Sequence, residues 1–250
     1  MTAKPLQGWT VLVPRGGTWG DRIAGSLRRL GAHPVIAPLI NFASADRPEL
    51  LAAALERLAA GEYDWLVVTS ATTVDVLTSV SAHIPEQTKV AAVGETTATA
   101  MTAAGYRVDF VPVKDNSARG LVAEWPGASG RVLVPQSDIA EPALVDGLAG
   151  LGVDAEYVPA YRTIGVPVAP EIAADVAAGR VGIILLSSGS VARQVQAQLG
   201  PLPEDTIVAA IGPRTAYDAR AAGLTVQVIA EQRSADSLVE AVMEYVKELE

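Results

Sequence analysis

The 250-residue chain has no cysteine and only two histidines and two phenylalanines. Without cysteine there can be no disulfide, thiolate metal site, iron–sulfur cluster or cysteine nucleophile. His33 and His83 lie far apart in sequence, so neither a multi-histidine metal centre nor a Ser-His-Asp triad is expected. A basic excess is also missing. Nineteen Lys and Arg face 28 Asp and Glu, a net charge of −9. This argues against a general nucleic-acid binder, which carries a basic face. The longest apolar run, Val181 to Leu186, is about six residues, whereas a membrane helix needs about 20. The segment Met1-Thr2-Ala3-Lys4-Pro5 lacks the apolar stretch of a secretory signal, so a cytoplasmic location is expected. No G-x-x-x-x-G-K-[ST], G-x-G-x-x-G or G-x-S-x-G motif occurs, which disfavours P-loop, dinucleotide and α/β-hydrolase chemistry.

What is there is a regular alternation. Short β-rich runs are predicted near 10–14, 34–38, 64–69, 89–93, 107–111, 131–135, 154–159, 181–187, 206–211 and 225–229. Between most of them lie 10–15 residues with helical spacing, such as Ile23, Leu27 and Leu30, or Leu51, Leu55 and Leu58. Strand, helix, strand at this rhythm means βαβ units and parallel sheets.

The chain also repeats itself. Val90-Ala91-Ala92-Val93-Gly94-Glu95-Thr96-Thr97-Ala98 matches Val208-Ala209-Ala210-Ile211-Gly212-Pro213-Arg214-Thr215-Ala216, 118 residues later. At the same offset, Thr69-Ser70 falls on Ser187-Ser188. At an offset of 121, Val11-Leu12-Val13-Pro14-Arg15 matches Val132-Leu133-Val134-Pro135-Gln136. An internal duplication of one α/β unit follows, with a ligand expected in a cleft between the copies. Pro126-Gly127-Ala128-Ser129-Gly130 is the best boundary between the repeats. Pro38–Phe42 and Pro159–Ile164 run past their strand ends at matched positions, and are candidate crossings between two domains.

Small polar residues cluster where strands hand over to helices. They are Thr69, Ser70 and Thr72; Gly94, Thr96 and Thr97; Ser187, Ser188, Gly189 and Ser190; and Gly212, Arg214 and Thr215. Ser and Thr cap helices everywhere, but four such loops in two matched pairs also suit anion binding. Arg15 and Arg214 can each meet a carboxylate by bidentate hydrogen bonds. Tyr161, in a presumed crossing, offers a phenol as proton donor. His33 is expected at a strand edge, and His83 at the end of a helix. Asp46, Glu49, Asp138 and Glu141 are expected at helix starts, and Trp65 and Trp125 as packing residues.

Taken in order and spacing from Val11 to Val242, these motifs resemble the uroporphyrinogen-III synthase family. The resemblance rests on Val11–Arg15, Val67-Val68-Thr69-Ser70, Ala92-Val93-Gly94 with Thr97-Ala98, Tyr161-Arg162-Thr163, Leu186–Val191 and Ala210–Ala216. It implies two similar flavodoxin-like α/β domains with parallel sheets, joined by two extended linker strands, with the first βα unit swapped. The domains would be 1–37 with 165–250 and 42–158, and the linkers 38–41 and 159–164. It implies a monomeric cyclising lyase of tetrapyrrole and heme biosynthesis with no metal or organic cofactor and no nucleic-acid or membrane partner. The implied substrate is hydroxymethylbilane, a linear tetrapyrrole with eight carboxylates, closed with inversion of ring D. Tyr161 matches a tyrosine that assists departure of the hydroxyl. Ser70, Ser188 and Thr215 match positions lining the binding region, with Thr69, Ser187, Gly189, Ser190, Gly212 and Arg214 in the same loops, Gly94, Thr96 and Thr97 in the fourth such loop, and Arg15 after the first strand. Two positions depart from the pattern. Many relatives carry Arg-Gly after the 131–135 strand, where this chain has Gln136-Ser137-Asp138, and some carry a basic residue where it has Thr72. A non-catalytic binder of a small anionic ligand is the alternative reading.

Overall fold

The computed structural model describes residues 4–127 and 129–249. Met1–Ala3 of the signal reading, Ala128 of the repeat boundary and Glu250 lie outside the described residues. The chain divides into two compact units, residues 1–41 with 164–250, and 42–163.

The first unit holds a five-stranded sheet. Its strands are β1 (Thr10–Val13), β2 (His33–Ile36), β8 (Ile183–Leu186), β9 (Ile207–Ala210) and β10 (Val228–Ile229), in the order β10-β9-β8-β1-β2. The ladders β1–β2, β1–β8, β8–β9 and β9–β10 are parallel. Helices α1 (Gly17–Arg29), α7 (Pro170–Ala177), α8 (Gly189–Leu199), α9 (Pro213–Ala221) and α10 (Ala235–Glu248) cover it. The apolar run Ile183-Ile184-Leu185-Leu186 explains why both faces are covered. Alternate residues of a strand point to opposite faces. Ile184 and Leu186 therefore join Leu12, Val191 and Val195 on one side, while Ile183 and Leu185 join Val11, Ile23, Leu27 and Val242 on the other. Each such buried aliphatic side chain contributes roughly 1.5–3 kcal/mol relative to exposure.

The second unit is built the same way. Its strands are β3 (Ile40–Ser44), β4 (Trp65–Val68), β5 (Lys89–Ala92), β6 (Arg131–Ser137) and β7 (Asp154–Gly165), in the order β3-β7-β6-β4-β5. The ladders β4–β5, β4–β6 and β6–β7 are parallel. Helices α2 (Pro48–Ala59), α3 (Ala71–Ser79) and α4 (Glu95–Ala103) pack on the face carrying Leu66, Val68 and Leu133. Helices α5 (Ala118–Ala123) and α6 (Ala143–Gly150) pack on the face carrying Trp65, Val67 and Val134. Trp65 and Trp125 are packed together, with ring centroids 4.9 Å apart.

Several expectations need correction. No strand forms over 107–111; Phe110 makes a single bridge to Ala91. The reason is local: the Asp109 carboxylate accepts the Val90 N–H at 2.8 Å, in the place a strand carbonyl would take. The strand expected over 225–229 shrinks to Val228–Ile229 for the matching reason, since Gln227 Oε1 accepts the Val208 N–H at 2.8 Å. Ile40–Ser44, not predicted as a strand beyond its crossing role, forms β3 beside β7. His83 does not end a helix, because α3 stops at Ser79. The stop is a hydrogen-bonded turn in which Ser81 N–H bonds the Thr78 carbonyl and Ala82 N–H bonds the Leu77 carbonyl. Ser81 takes φ +49° there, a conformation that usually calls for glycine. Asp46 and Asp138 are not helix-start residues either. Asp46 pairs with Arg162 at 2.8 Å, and Asp138 accepts the Thr163 N–H at 3.1 Å.

Candidate active site

Each sheet presents its loops at the carboxyl ends of its strands, where doubly wound sheets bind ligands. In the second unit, Ser70 caps α3 and its Oγ accepts the Thr73 N–H at 3.1 Å. The same oxygen lies 3.0 Å from the Tyr161 phenol. Tyr161 sits on β7 and Ser70 follows β4, so the phenol reaches across the intervening strand β6.

A break in strand register aims Tyr161 this way. Gln136 pairs with Pro159, but the next residue, Ser137, pairs with Tyr161, leaving Ala160 as an extra residue. Such a bulge re-aims the side chain that follows it. Val158, Ala160 and Tyr161 accordingly share one packed cluster, although residues 160 and 161 are consecutive. The strand is then pinned: Asp138 N–H bonds the Tyr161 carbonyl at 2.9 Å, and Ser137 Oγ lies 2.9 Å from Thr163 Oγ1. Arg162 donates to the Ser44 carbonyl at 3.1 Å. Phe42 packs edge-on to the Tyr161 ring, 5.4 Å between centroids at 88°. The Tyr157 phenol donates to the Ser137 carbonyl, and burial with Asp138 nearby raises its pKa.

Thr69 stands beside Ser70 and accepts a hydrogen bond from Gln136 Nε2 at 3.3 Å. Gly94 caps α4; Thr96 is exposed on its first turn, whereas Thr97 is buried beneath the loop. A cavity of about 670 Å³ opens beside Tyr161, lined by Phe42, Leu51, Leu55, Val76 and His83. Its lining includes Glu56 but neither Lys nor Arg, so it does not suit a polyanion.

In the first unit, Arg15 follows β1 and its guanidinium lies 5.3 Å from the Trp19 ring centroid. Ser188 caps α8, accepting the Val191 N–H at 3.3 Å, and its Oγ lies 3.0 Å from Ser190 Oγ. The Ser187 hydroxyl is buried with no hydrogen-bond partner among the described residues. Gly212 caps α9, Arg214 is exposed on its first turn and Thr215 is buried. Arg214 pairs with Asp218 at 3.0 Å. That carboxylate also lies against the start of α8. A Cβ on Gly189 would fall 2.2 Å from Asp218 Oδ2, so only glycine fits. The amino end of α8 is thus already faced by an internal anion.

Two further residues touch these loops. Arg233 lays its side chain along Gly212, where a Cβ would meet Arg233 Cγ at 3.1 Å. Gln136 bridges to Thr69. Its place after the repeated Val-Leu-Val-Pro run, matched to Arg15, was the available signal.

A family model described as uroporphyrinogen-III synthase HemD matches residues 21–240. The chain belongs to the uroporphyrinogen-III synthase family. The family is one of cyclising lyases of porphyrin biosynthesis. A porphyrin biosynthesis protein HemD of Ruminiclostridium josui is 30% identical over 96% of this chain. This chain spans 49% of that relative's length. A uroporphyrinogen-III synthase of Synechococcus elongatus is 26% identical, covering 99% of both chains. Among solved structures, a mutant uroporphyrinogen III synthase from the extreme thermophile Thermus thermophilus superposes with a TM-score of 0.69. It is 17% identical and covers 97% of this chain and all of its own, a likeness of fold.

Proposed function

We propose that this uroporphyrinogen-III synthase family chain closes hydroxymethylbilane to uroporphyrinogen III, with inversion of ring D and loss of water. The observation that carries the site assignment is the Tyr161 phenol held 3.0 Å from Ser70 Oγ at the carboxyl ends of the strands. The phenol gives its proton to the terminal hydroxyl, which leaves as water. The remaining azafulvene is electrophilic, and ring D attacks it through its substituted carbon. The resulting spirocyclic pyrrolenine fragments and recloses in the inverted sense, and the proton released as the rings regain aromaticity returns to the Tyr161 phenolate. The substrate supplies nucleophile and electron push; the protein holds one folded conformer and stabilises developing charge.

In this reading, Arg15, Thr69, Ser70, Gly94, Thr96, Ser187, Ser188, Gly189, Ser190, Gly212 and Arg214 serve the carboxylates through side chains and loop amides. Thr97 and Thr215 are buried and support those loops from below. The two units are copies from one duplication, exchanged in their first βα unit and joined by the segments 38–41 and 159–164. The protein works as a cytoplasmic monomer without a cofactor. None of the helices among the described residues is long and apolar enough to cross a membrane.

The test is isomer analysis. Freshly generated hydroxymethylbilane is supplied, the product oxidised, and uroporphyrins I and III separated. Type III in proportion to enzyme is expected. Type I alone, at the uncatalysed rate, would overturn the assignment and favour the anion-binding alternative.

A further inference from the structure

The sheet of the second unit reverses its winding between β4 and β6: β5 lies outside β4 on one side, and β7 lies outside β6 on the other. The crevice at such a reversal is the preferred ligand position of a doubly wound sheet. Two side chains span it, Thr69 after β4 and Gln136 near the end of β6. Gln136 is only 8% exposed. Its Nε2 donates to Thr69 Oγ1 at 3.3 Å, and its Oε1 is buried with no hydrogen-bond partner among the described residues. A buried amide left half-satisfied is costly and calls for a reason.

The hydroxyl chemistry of Thr69 supplies one. A threonine hydroxyl has one proton to give and two lone pairs. Gln136 takes up a lone pair, so the proton must point elsewhere, and Thr69 Oγ1 makes no other hydrogen bond among the described residues. The neighbouring Ser70 Oγ is already engaged with the Thr73 N–H and Tyr161. The first unit differs at the matched positions. There Arg15 stands for Gln136 and Ser187 for Thr69, and the Ser187 hydroxyl has no partner among the described residues.

We infer that Gln136 is a positioning residue: its amide fixes the Thr69 hydroxyl so that the O–H is presented to an anionic oxygen of the substrate at the β4–β6 crevice. This rests on the function proposed above. The second unit then offers an uncharged, oriented donor where the first offers a guanidinium.

The experiment compares Gln136→Met, Thr69→Val, Thr69→Ser and the Gln136→Met/Thr69→Val pair. Each is assayed for KM and kcat with hydroxymethylbilane, and for Kd with mellitate as a polycarboxylate probe. Gln136→Met, close in shape but without the donor, raises KM and the mellitate Kd about tenfold, the scale of one hydrogen bond to a charged group, with kcat little changed. Thr69→Val does the same, and Thr69→Ser restores binding. The pair is no worse than Thr69→Val alone, because Gln136 acts only through that hydroxyl. Unchanged or lower constants in Gln136→Met, or additive effects in the pair, overturn the inference. Variants that show this coupling with mellitate while the wild type forms no type III isomer support the positioning role and sink the functional reading instead.

Discussion

The Tyr161 phenol and the Ser70 hydroxyl, 91 residues apart in the chain, meet at 3.0 Å because a one-residue bulge at Ala160 turns the tyrosine onto the face where α3 begins. Tyr161→Phe removes the proposed proton donor and keeps the ring against Phe42. We expect type III formation to slow about a hundredfold with KM nearly unchanged, the usual scale of one general acid. An unchanged rate would leave positioning alone as the mechanism.

Asp218 holds Arg214 and faces the start of α8, so on the proposed function it would compete with the substrate carboxylates for the first unit's loops. Asp218→Asn removes that charge. We expect KM to fall about threefold, while loss of the helical ion pair costs only about 0.3–0.5 kcal/mol of stability. Steady-state kinetics with a denaturant titration checks both numbers. A rise in KM would mean that Asp218 is needed to hold Arg214 in place.

Amides and hydroxyls outnumber cations in the proposed loops. A modest dependence of KM on ionic strength is therefore expected between about 50 and 200 mM salt, since such donors are close-range and exposed charges are screened beyond about 8–10 Å. A steep rise in KM would show that the arginines dominate substrate capture.

Ser81 holds φ +49° at the end of α3, where Gly31, Gly61, Gly105 and Gly152 take positive φ after α1, α2, α4 and α6. Ser81→Gly relieves the left-handed strain but loosens the unfolded chain. The strain dominates at such a site, so a net gain of about 0.5–1 kcal/mol is expected. Thermal unfolding measures it, and a lower midpoint would refute the account.

Tyr63 is buried, donates to Glu156 at 2.6 Å and accepts from Arg57 Nη2 at 2.9 Å. Burial, and then the Glu156 carboxylate, hold its phenol above the ordinary value of 10.0. A raised folded pKa favours the neutral phenol, so its contribution is complete below about pH 10 and is lost as pH rises further. Wild type should lose stability more steeply than Tyr63→Phe above that pH. Parallel alkaline unfolding curves for the two proteins would contradict this.

Much of this arrangement was legible in the residues. Runs such as Ile183–Leu186 announce a strand buried on both faces, and the alternation of strands with helical stretches announces parallel α/β sheets. Side-chain substitution for the backbone ladder was not legible. Asp109 and Gln227 look like ordinary strand residues, yet each bonds the N–H that would have continued its sheet. β3 escaped notice because Ile40-Asn41-Phe42-Ala43-Ser44 is short and mixed, and it is held at a sheet edge by β7. Ser70 was legible as a candidate from its strand end, and Tyr161 from its place in a presumed crossing segment. Their contact depends on a bulge, which periodicity cannot reveal. Gln136 was visible as a departure, but its bond to Thr69 needed the neighbouring strand in place.

The division of the chain sets an order on its folding during synthesis. All residues of the second unit, 42–163, are synthesised before β8. The opening segment β1-α1-β2 must wait to complete its sheet, because β1 pairs with β2 on one side but its partners on the other side, Ile183 and Ile184, come only later in the chain. A nascent chain released near residue 163 would carry one finished unit and one exposed orphan strand pair. The N-terminal apolar strand Thr10–Val13 is therefore the segment that a chaperone has most reason to shelter while translation runs on.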